Sequence, residues 1–173
     1  MLELEKTYLA KNLPQNLKDY TFKEIIDIYI PKNADHPVLR LRKNGDAYEM
    51  TKKQPIVDSD ASRQIEQTII LSKEEFGALE KIEGKKTHKF RYYYDYKGNI
   101  AEIDIFMDDL AGLAIIDFEF KTDQEKDFFL MPDFCLADVT QEKFLAGGML
   151  CGKKYEDIKK DLDRFNYQKL FLK

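Results

Sequence analysis

LRLRKNGDAYEMTKK, residues 39–53, sets two alternating runs on either side of an Asn-Gly pair. Successive side chains of a strand point to opposite faces, so Arg40 and Arg42 share one face while Leu39 and Leu41 share the other. Asn44-Gly45 favours the positive backbone angles of a tight hairpin turn, and on the return run Thr51 and Lys53 again share a face. The stretch therefore predicts a β-hairpin with cationic side chains gathered on one side. Taken alone, the two arginines would be surface partners of Glu49 across the hairpin, an arrangement that is common and weak.

Working outward, the same spacing returns along the chain. LELEKTYL (2–9) pairs Glu3 with Glu5, HKFRY (88–92) pairs Lys89 with Arg91, AEIDIF (101–106) pairs Glu102 with Asp104, and IIDFEF (115–120) pairs Asp117 with Glu119. A solvated face normally mixes Ser, Thr, Gln and Lys with charges of both signs. Here each strand puts a like-charged couple on one face, which costs energy unless an opposite charge neutralises it. If the strands close into a barrel, the polar residues line its inside and the apolar ones face outward toward covering helices.

The remaining punctuation fits a mainly antiparallel β protein with helices attached. NLPQNLKDYTF (12–22) predicts a turn with a short helix, EIIDIYI (24–30) a strand closed by Pro31, SRQIEQTIIL (62–71) another strand, and KGN (97–99) a tight turn between two more. SKEEFGALEKIEG (72–84) carries a helix signature, with Ser72 and Glu75 spaced as a capping box and Gly84 placed to end it. Residues 155–172 predict a C-terminal amphipathic helix with Tyr155, Ile158, Leu162 and Phe165 on one side. No internal repeat or Pro/Gly/Ser linker divides the chain, so residues 1–173 are expected to form one domain.

Composition narrows the function classes. Of 173 residues 43% are hydrophobic and 35% charged, yet the net charge is only −4, so the placement of charge matters more than its sum. That balance argues against nucleic acid as a partner. Cys135 and Cys151 lack CxxC spacing and His36 lies far from His88, which argues against a thiolate or imidazole zinc site. No leader-like segment or membrane-length apolar run occurs, so a cytoplasmic protein without a membrane partner is expected.

Hard divalent cations such as Mg2+ or Mn2+ bind carboxylates together with substrate phosphates, and guanidinium groups bind phosphate bidentately. Carboxylate pairs on some strands and Arg or Lys pairs on others thus suit a chain of phosphates bridged to metal on one side and to protein cations on the other. No Gly-rich phosphate loop is present to do the same work.

These residues also resemble a family. ELEKTYL resembles the N-terminal ExExK signature of the CYTH, or triphosphate tunnel metalloenzyme, superfamily, and LRLRKNGDAYEMTKK resembles its RxR and TxK hairpin. HKFRYYY, AEIDIFMDDLAGLAIIDFEF and LADVTQEKF are similar to its later strands and the segment after them, in the family's order, so that the resemblance spans residues 2 to about 144. It implies a closed antiparallel eight-stranded β-barrel tunnel with peripheral helices. It further implies metal at Glu3, Glu5, Asp104, Asp117 and Glu119, with Glu66 and Glu102 as weaker additions, and phosphate contacts from Arg40, Arg42, Lys53, Lys89, Arg91 and Lys143. Glu3, Glu5, Arg42, Lys53 and Glu119 would carry catalysis. Two positions depart from the pattern: Thr7 stands where the signature has lysine, with Lys6 displaced to the opposite face, and the last acidic pair is Asp117-x-Glu119 instead of ExE.

The expected activity is metal-dependent hydrolysis of inorganic triphosphate or a small organic triphosphate, by a monomer or homodimer. A class IV-type adenylyl cyclase and a polyphosphate- or nucleotide-binding module with weak or no turnover are the alternatives. Asp108 and Asp109 fit a solvated turn, Tyr92, Tyr93, Tyr94 and Tyr96 fit strand packing, and Lys153, Lys154, Lys159 and Lys160 fit a solvated helix face. No role is assigned to either histidine.

Overall fold

The computed structural model describes residues 2–57 and 60–172. Eight antiparallel strands, β1 (Leu2–Ala10), β2 (Phe22–Ile30), β3 (Leu39–Asn44), β4 (Ala47–Val57), β5 (Asp60–Leu71), β6 (Lys85–Tyr96), β7 (Asn99–Phe106) and β8 (Ala114–Phe120), run in the order β5-β4-β3-β2-β6-β7-β8-β1. Leu2 of β1 then pairs with Ile65 of β5 and closes the ring. A short β9 (Cys135–Asp138) adds to the far end of β1, opposite Tyr8–Ala10. The closed eight-stranded barrel with peripheral helices is thus the observed architecture.

Alternation is turned inside out relative to a small barrel with an apolar lumen. Outward residues of β1, β7 and β8, including Tyr8, Ile103, Ile116 and Phe118, form one apolar cluster beneath Leu17, Phe129 and Phe134. Ile28 and Leu41 form another beneath Phe76 of α1 (Lys73–Leu79). A third lies across one end of the barrel, where Leu9, Phe106, Ile115, Leu145 and Leu150 meet Tyr155, Ile158 and Leu162 of α4 (Tyr155–Asp163). On the outer face of β4 and β5, Ile56, Ile65 and Ile69 are exposed, and Val57 at the end of β4 and Ile70, opposite Glu49 on the cavity-facing side, are exposed as well. Among the described residues no helix is long and apolar enough to cross a membrane.

Several local expectations shift. The hairpin loop is Gly45-Asp46, with Asn44 closing the ladder against Ala47 and Gly45 at φ +61°. The Ser72–Glu75 capping box forms, but α1 stops at Leu79, well before Gly84. Gly84 serves close approach instead: a Cβ there would lie 2.5 Å from Ile28 Cγ2 and 2.7 Å from Tyr29 O on β2. The helix expected over 155–172 ends at Asp163, and Asn166, at φ +57°, turns the chain into an extended tail. That tail bonds to the barrel: Tyr167 Oη accepts from Ala114 N (2.7 Å) and donates to Gly112 O (2.9 Å), and Leu170 N donates to Gly112 O (2.9 Å). α2 (Asp123–Phe128) and α3 (Gly147–Leu150) were not anticipated, although Thr122 and Glu125 form a capping box legible in the sequence.

Candidate active site

Closing the ring brings the like-charged couples together around one cavity of about 280 Å3. Glu3, Glu5, Arg40, Arg42, Lys53, Glu66, Lys89, Arg91, Glu102, Asp104, Asp117 and Glu119 all line it. Lys143 does not; it lies exposed on the 3-10 turn Lys143–Leu145, near His36. The walls differ in sign. β1, β7 and β8 present carboxylates, whereas β3 and β6 present Arg40, Arg42, Lys89 and Arg91.

Each cation has an acidic counterpart. Arg42 donates to both oxygens of Asp27 on β2, from Nε at 2.6 Å and from Nη2 at 2.8 Å, and the two residues face each other in the β2–β3 register. Arg91 makes the same two-point contact with Asp104 (2.6 and 2.7 Å), also reaches Glu102, and lies 3.5 Å from Asp117. Lys89 pairs with Asp104. Lys53 Nζ sits between Glu3 and Glu5, 2.7 Å from an oxygen of each, and Gln64 donates to the other Glu5 oxygen. Arg40 approaches Glu66 at 3.8 Å, and its Nε is buried with no acceptor. Thr7 donates to Asp117 Oδ1 at 2.8 Å, so it faces inward as the alternation requires.

Burial and pairing set the protonation states. Burial alone would raise Asp27, but the charge and hydrogen bonds of Arg42 outweigh it and hold the carboxyl well below its usual range. Asp104, equally buried, is held at about 2 by Arg91 and Lys89. Burial pulls Lys89 below its ordinary value, with Arg91 and Arg42 adding to the effect and Asp104 opposing it. On the acidic wall the balance reverses. Desolvation, then the charges of Glu102 and Glu3 and a hydrogen bond to Glu3, push Glu119 up to about 7. Burial also raises Glu5, with Lys53 opposing and Asp117 and Glu3 reinforcing.

This wall is rich in carboxylate oxygens, the ligand type that hard divalent cations take. Among the described residues nine carboxylates line the cavity against five Lys and Arg side chains, an excess of acidic groups. Glu3 Oε2, though close to Lys53, is buried without a hydrogen bond. Among the described residues no three acidic, His or Cys side chains stand close enough to grip an ion as they are, because Lys53 and Arg91 draw the carboxylates toward themselves.

The protonation states predict the pH response of the metal-free protein. Glu5 and Glu119 have folded-state values above the ordinary 4.5, so their ionisation costs stability progressively as pH rises above 4.5, for Glu119 up to about 7. Asp27 and Asp104 act in the opposite sense: their contribution is complete above the ordinary 3.8 and is lost as pH falls through their depressed values, about 2 for Asp104 and well below the usual range for Asp27. In chelator, melting temperature is expected to be lower at pH 8 than at pH 5, and Glu119→Gln is expected to flatten that slope. Solvent at Glu119 softens the effect without changing its sign. Equal slopes in both proteins would remove Glu119 as its source.

Sequence reasoning missed Asp27, Tyr29 and Glu49 of the lining. A single acid between Ile26 and Ile28 in an apolar strand was the available signal for Asp27, and only strand pairing shows that it answers Arg42.

No family model matches the chain. It is 28% identical over 145 residues to an inorganic triphosphatase of Nitrosomonas europaea, covering 83% of this chain and 92% of that protein. A crystal structure of an inorganic triphosphatase superposes with a TM-score of 0.63 at 23% identity, covering 87% of this chain and 95% of the other. A Pyrococcus horikoshii protein does so with a TM-score of 0.52 at 16% identity, covering 96% and 91%. At those identities the two structures speak for the fold. The ordered charged couples, the barrel that turns them inward and the similarity to the Nitrosomonas protein together support the chain's resemblance to the CYTH, or triphosphate tunnel metalloenzyme, superfamily.

Proposed function

We propose that the tunnel hydrolyses a triphosphate-containing substrate, inorganic triphosphate or a small organic triphosphate, with Mg2+ or Mn2+. The observation that carries this reading is the facing of a carboxylate wall by an Arg and Lys wall within one cavity. Glu3, Glu5, Asp117 and Glu119, with Glu102 and Glu66 at the margins, would hold the cation, which when bound supplies charge to phosphoryl oxygens and activates water. Arg40, Arg42, Lys89 and Arg91 grip the phosphate oxygens and stabilise the charge that spreads over them during transfer. Asp27 and Asp104 act as buried counterions that fix the direction of Arg42 and Arg91 before substrate arrives, so this reading gives Asp104 an orienting role in place of metal ligation. Lys53 bridges Glu3 and Glu5 and offsets their mutual repulsion, and Thr7 orients Asp117. Lys143, outside the lining, has no part in this scheme.

The test is an activity panel of tripolyphosphate, ATP and thiamine triphosphate with each metal, run beside thermal melts. Orthophosphate release is expected; pyrophosphate with a cyclic nucleotide from ATP would mean a cyclase instead. Tripolyphosphate with metal at about 100 times its dissociation constant is expected to add roughly 2.7 kcal/mol of stability, and chelation to remove most of it. A shift without turnover would identify a binding module, and no shift with any polyphosphate would sink the tunnel reading.

A further inference from the structure

One end of the cavity is lined by residues that bear no charge. On β7 the inward series runs Glu102, Asp104, Phe106, and on β8 it runs Glu119, Asp117, Ile115. Each strand thus offers two charged levels and then an apolar one, over about 13 Å at strand spacing. The register sets Ile115 beside Asp104 with Phe106 two residues beyond, Leu145 and Leu150 line the same end, and all four belong to the apolar cluster beneath α4. Across this end lies α3, whose backbone can pass only because its first two residues are glycine. A Cβ on Gly147 would lie 2.0 Å from Tyr29 Oη, and one on Gly148 would lie 2.2 Å from Pro37 O. Tyr29 is 5% exposed, lines the cavity, and stands opposite Arg40 in the β2–β3 register. The unpartnered Nε of Arg40 is therefore the cationic donor beside this floor.

We infer that the floor formed by Tyr29 and Gly147–Gly148 is a length gauge, against which the end of a linear phosphate chain seats beside Arg40, so that chain length decides whether the other end reaches the carboxylate wall. This rests on the tunnel being a triphosphate site. A chain that is too short cannot touch floor and acidic wall together. One that is too long can go no deeper, because the next level is apolar and would leave a phosphate without countercharge. Tyr29 and Gly147 are specificity determinants on this account, since neither needs to touch the bond that breaks.

The experiment compares pyrophosphate, tripolyphosphate and tetrapolyphosphate, each with Mg2+ or Mn2+, by thermal shift and by orthophosphate release. Wild type is expected to favour tripolyphosphate. Tyr29→Leu lowers the floor and is expected to move the preference toward tetrapolyphosphate, whereas Gly147→Ala pushes the Tyr29 ring inward and is expected to move it toward pyrophosphate. Changes of about tenfold in relative affinity are expected, the scale at which small steric differences in a pocket discriminate ligands. A wild-type profile flat across the three lengths overturns the gauge, as does an unaltered profile in whichever variant melts cooperatively. A length-dependent thermal shift without orthophosphate release would instead retire the hydrolase reading and leave the gauge standing.

Discussion

Thr7→Lys is expected to raise triphosphate turnover by ~10²–10⁴-fold, the range that a well-placed acid-base group contributes. The reasoning begins with the side chain now present. Thr7 points into the tunnel and spends its hydroxyl on Asp117 Oδ1, so it supplies neither positive charge nor reach to a phosphate oxygen. Lys6 does not compensate, because it sits on the opposite face of β1, and a one-residue slip would invert every inward side chain of that strand. A lysine at position 7 would enter between Asp117 and the substrate, with Glu5 two residues away on the same face. The gain is expected in kcat and not in KM, with the cooperative melt retained, since backbone pairing of β1 does not depend on this side chain. A neutral or harmful substitution, beside a wild-type enzyme of ordinary rate, would show that an existing amine fills the role. Lys89, buried and with its proton affinity lowered, would be the first to examine.

The second large effect is on stability. Arg42→Ala is expected to cost about 3–5 kcal/mol, because it leaves the Asp27 carboxylate buried without its partner. Asp27 is 2% exposed and Arg42 7%, with hydrogen bonds of 2.6 and 2.8 Å between them, so little solvent is available to replace the guanidinium. Replacing both charges together, Asp27→Leu with Arg42→Met, is expected to recover much of that loss, since a buried ion pair is often no more stabilising than apolar residues of similar volume. The double variant separates two roles that the single one confounds. It should fold, and tripolyphosphate with metal should no longer raise its melting temperature as in wild type. A double variant that kept the full ligand-induced shift would make Arg42 a structural cation only.

Much of the molecule was legible from local pattern. Period-two alternation and turn residues located the strands, since both are written within a few consecutive residues. The i, i+2 couples of one sign announced a shared interior because their repulsion has no local remedy. That is why Glu3, Glu5, Arg40, Arg42, Lys89, Arg91, Asp117 and Glu119 could be named from sequence and are found on one lining. The short helices were less legible. α4 ends at Asp163 although its apolar spacing continues to Phe165, because Tyr167 and Leu170 find better hydrogen-bond partners on the barrel than in another helical turn.

What the sequence by itself determined is the antiparallel β class, the charged interior and the sign of charge on each strand that bears a like-charged couple, since each of these follows from residue types at fixed short spacing. Which charges meet was decided only by the tertiary structure. Asp27 answers Arg42 through the β2–β3 register, and Arg91 is shared among Asp104, Glu102 and Asp117 across β6, β7 and β8. Tertiary packing also left Lys143 outside and drew Gly147 and Gly148 across the end of the tunnel onto Tyr29 and Pro37. The physical reason is range. Alternation acts between neighbours along the chain, whereas ring closure, countercharge and the floor join residues distant in sequence, and those contacts exist only once the barrel has closed.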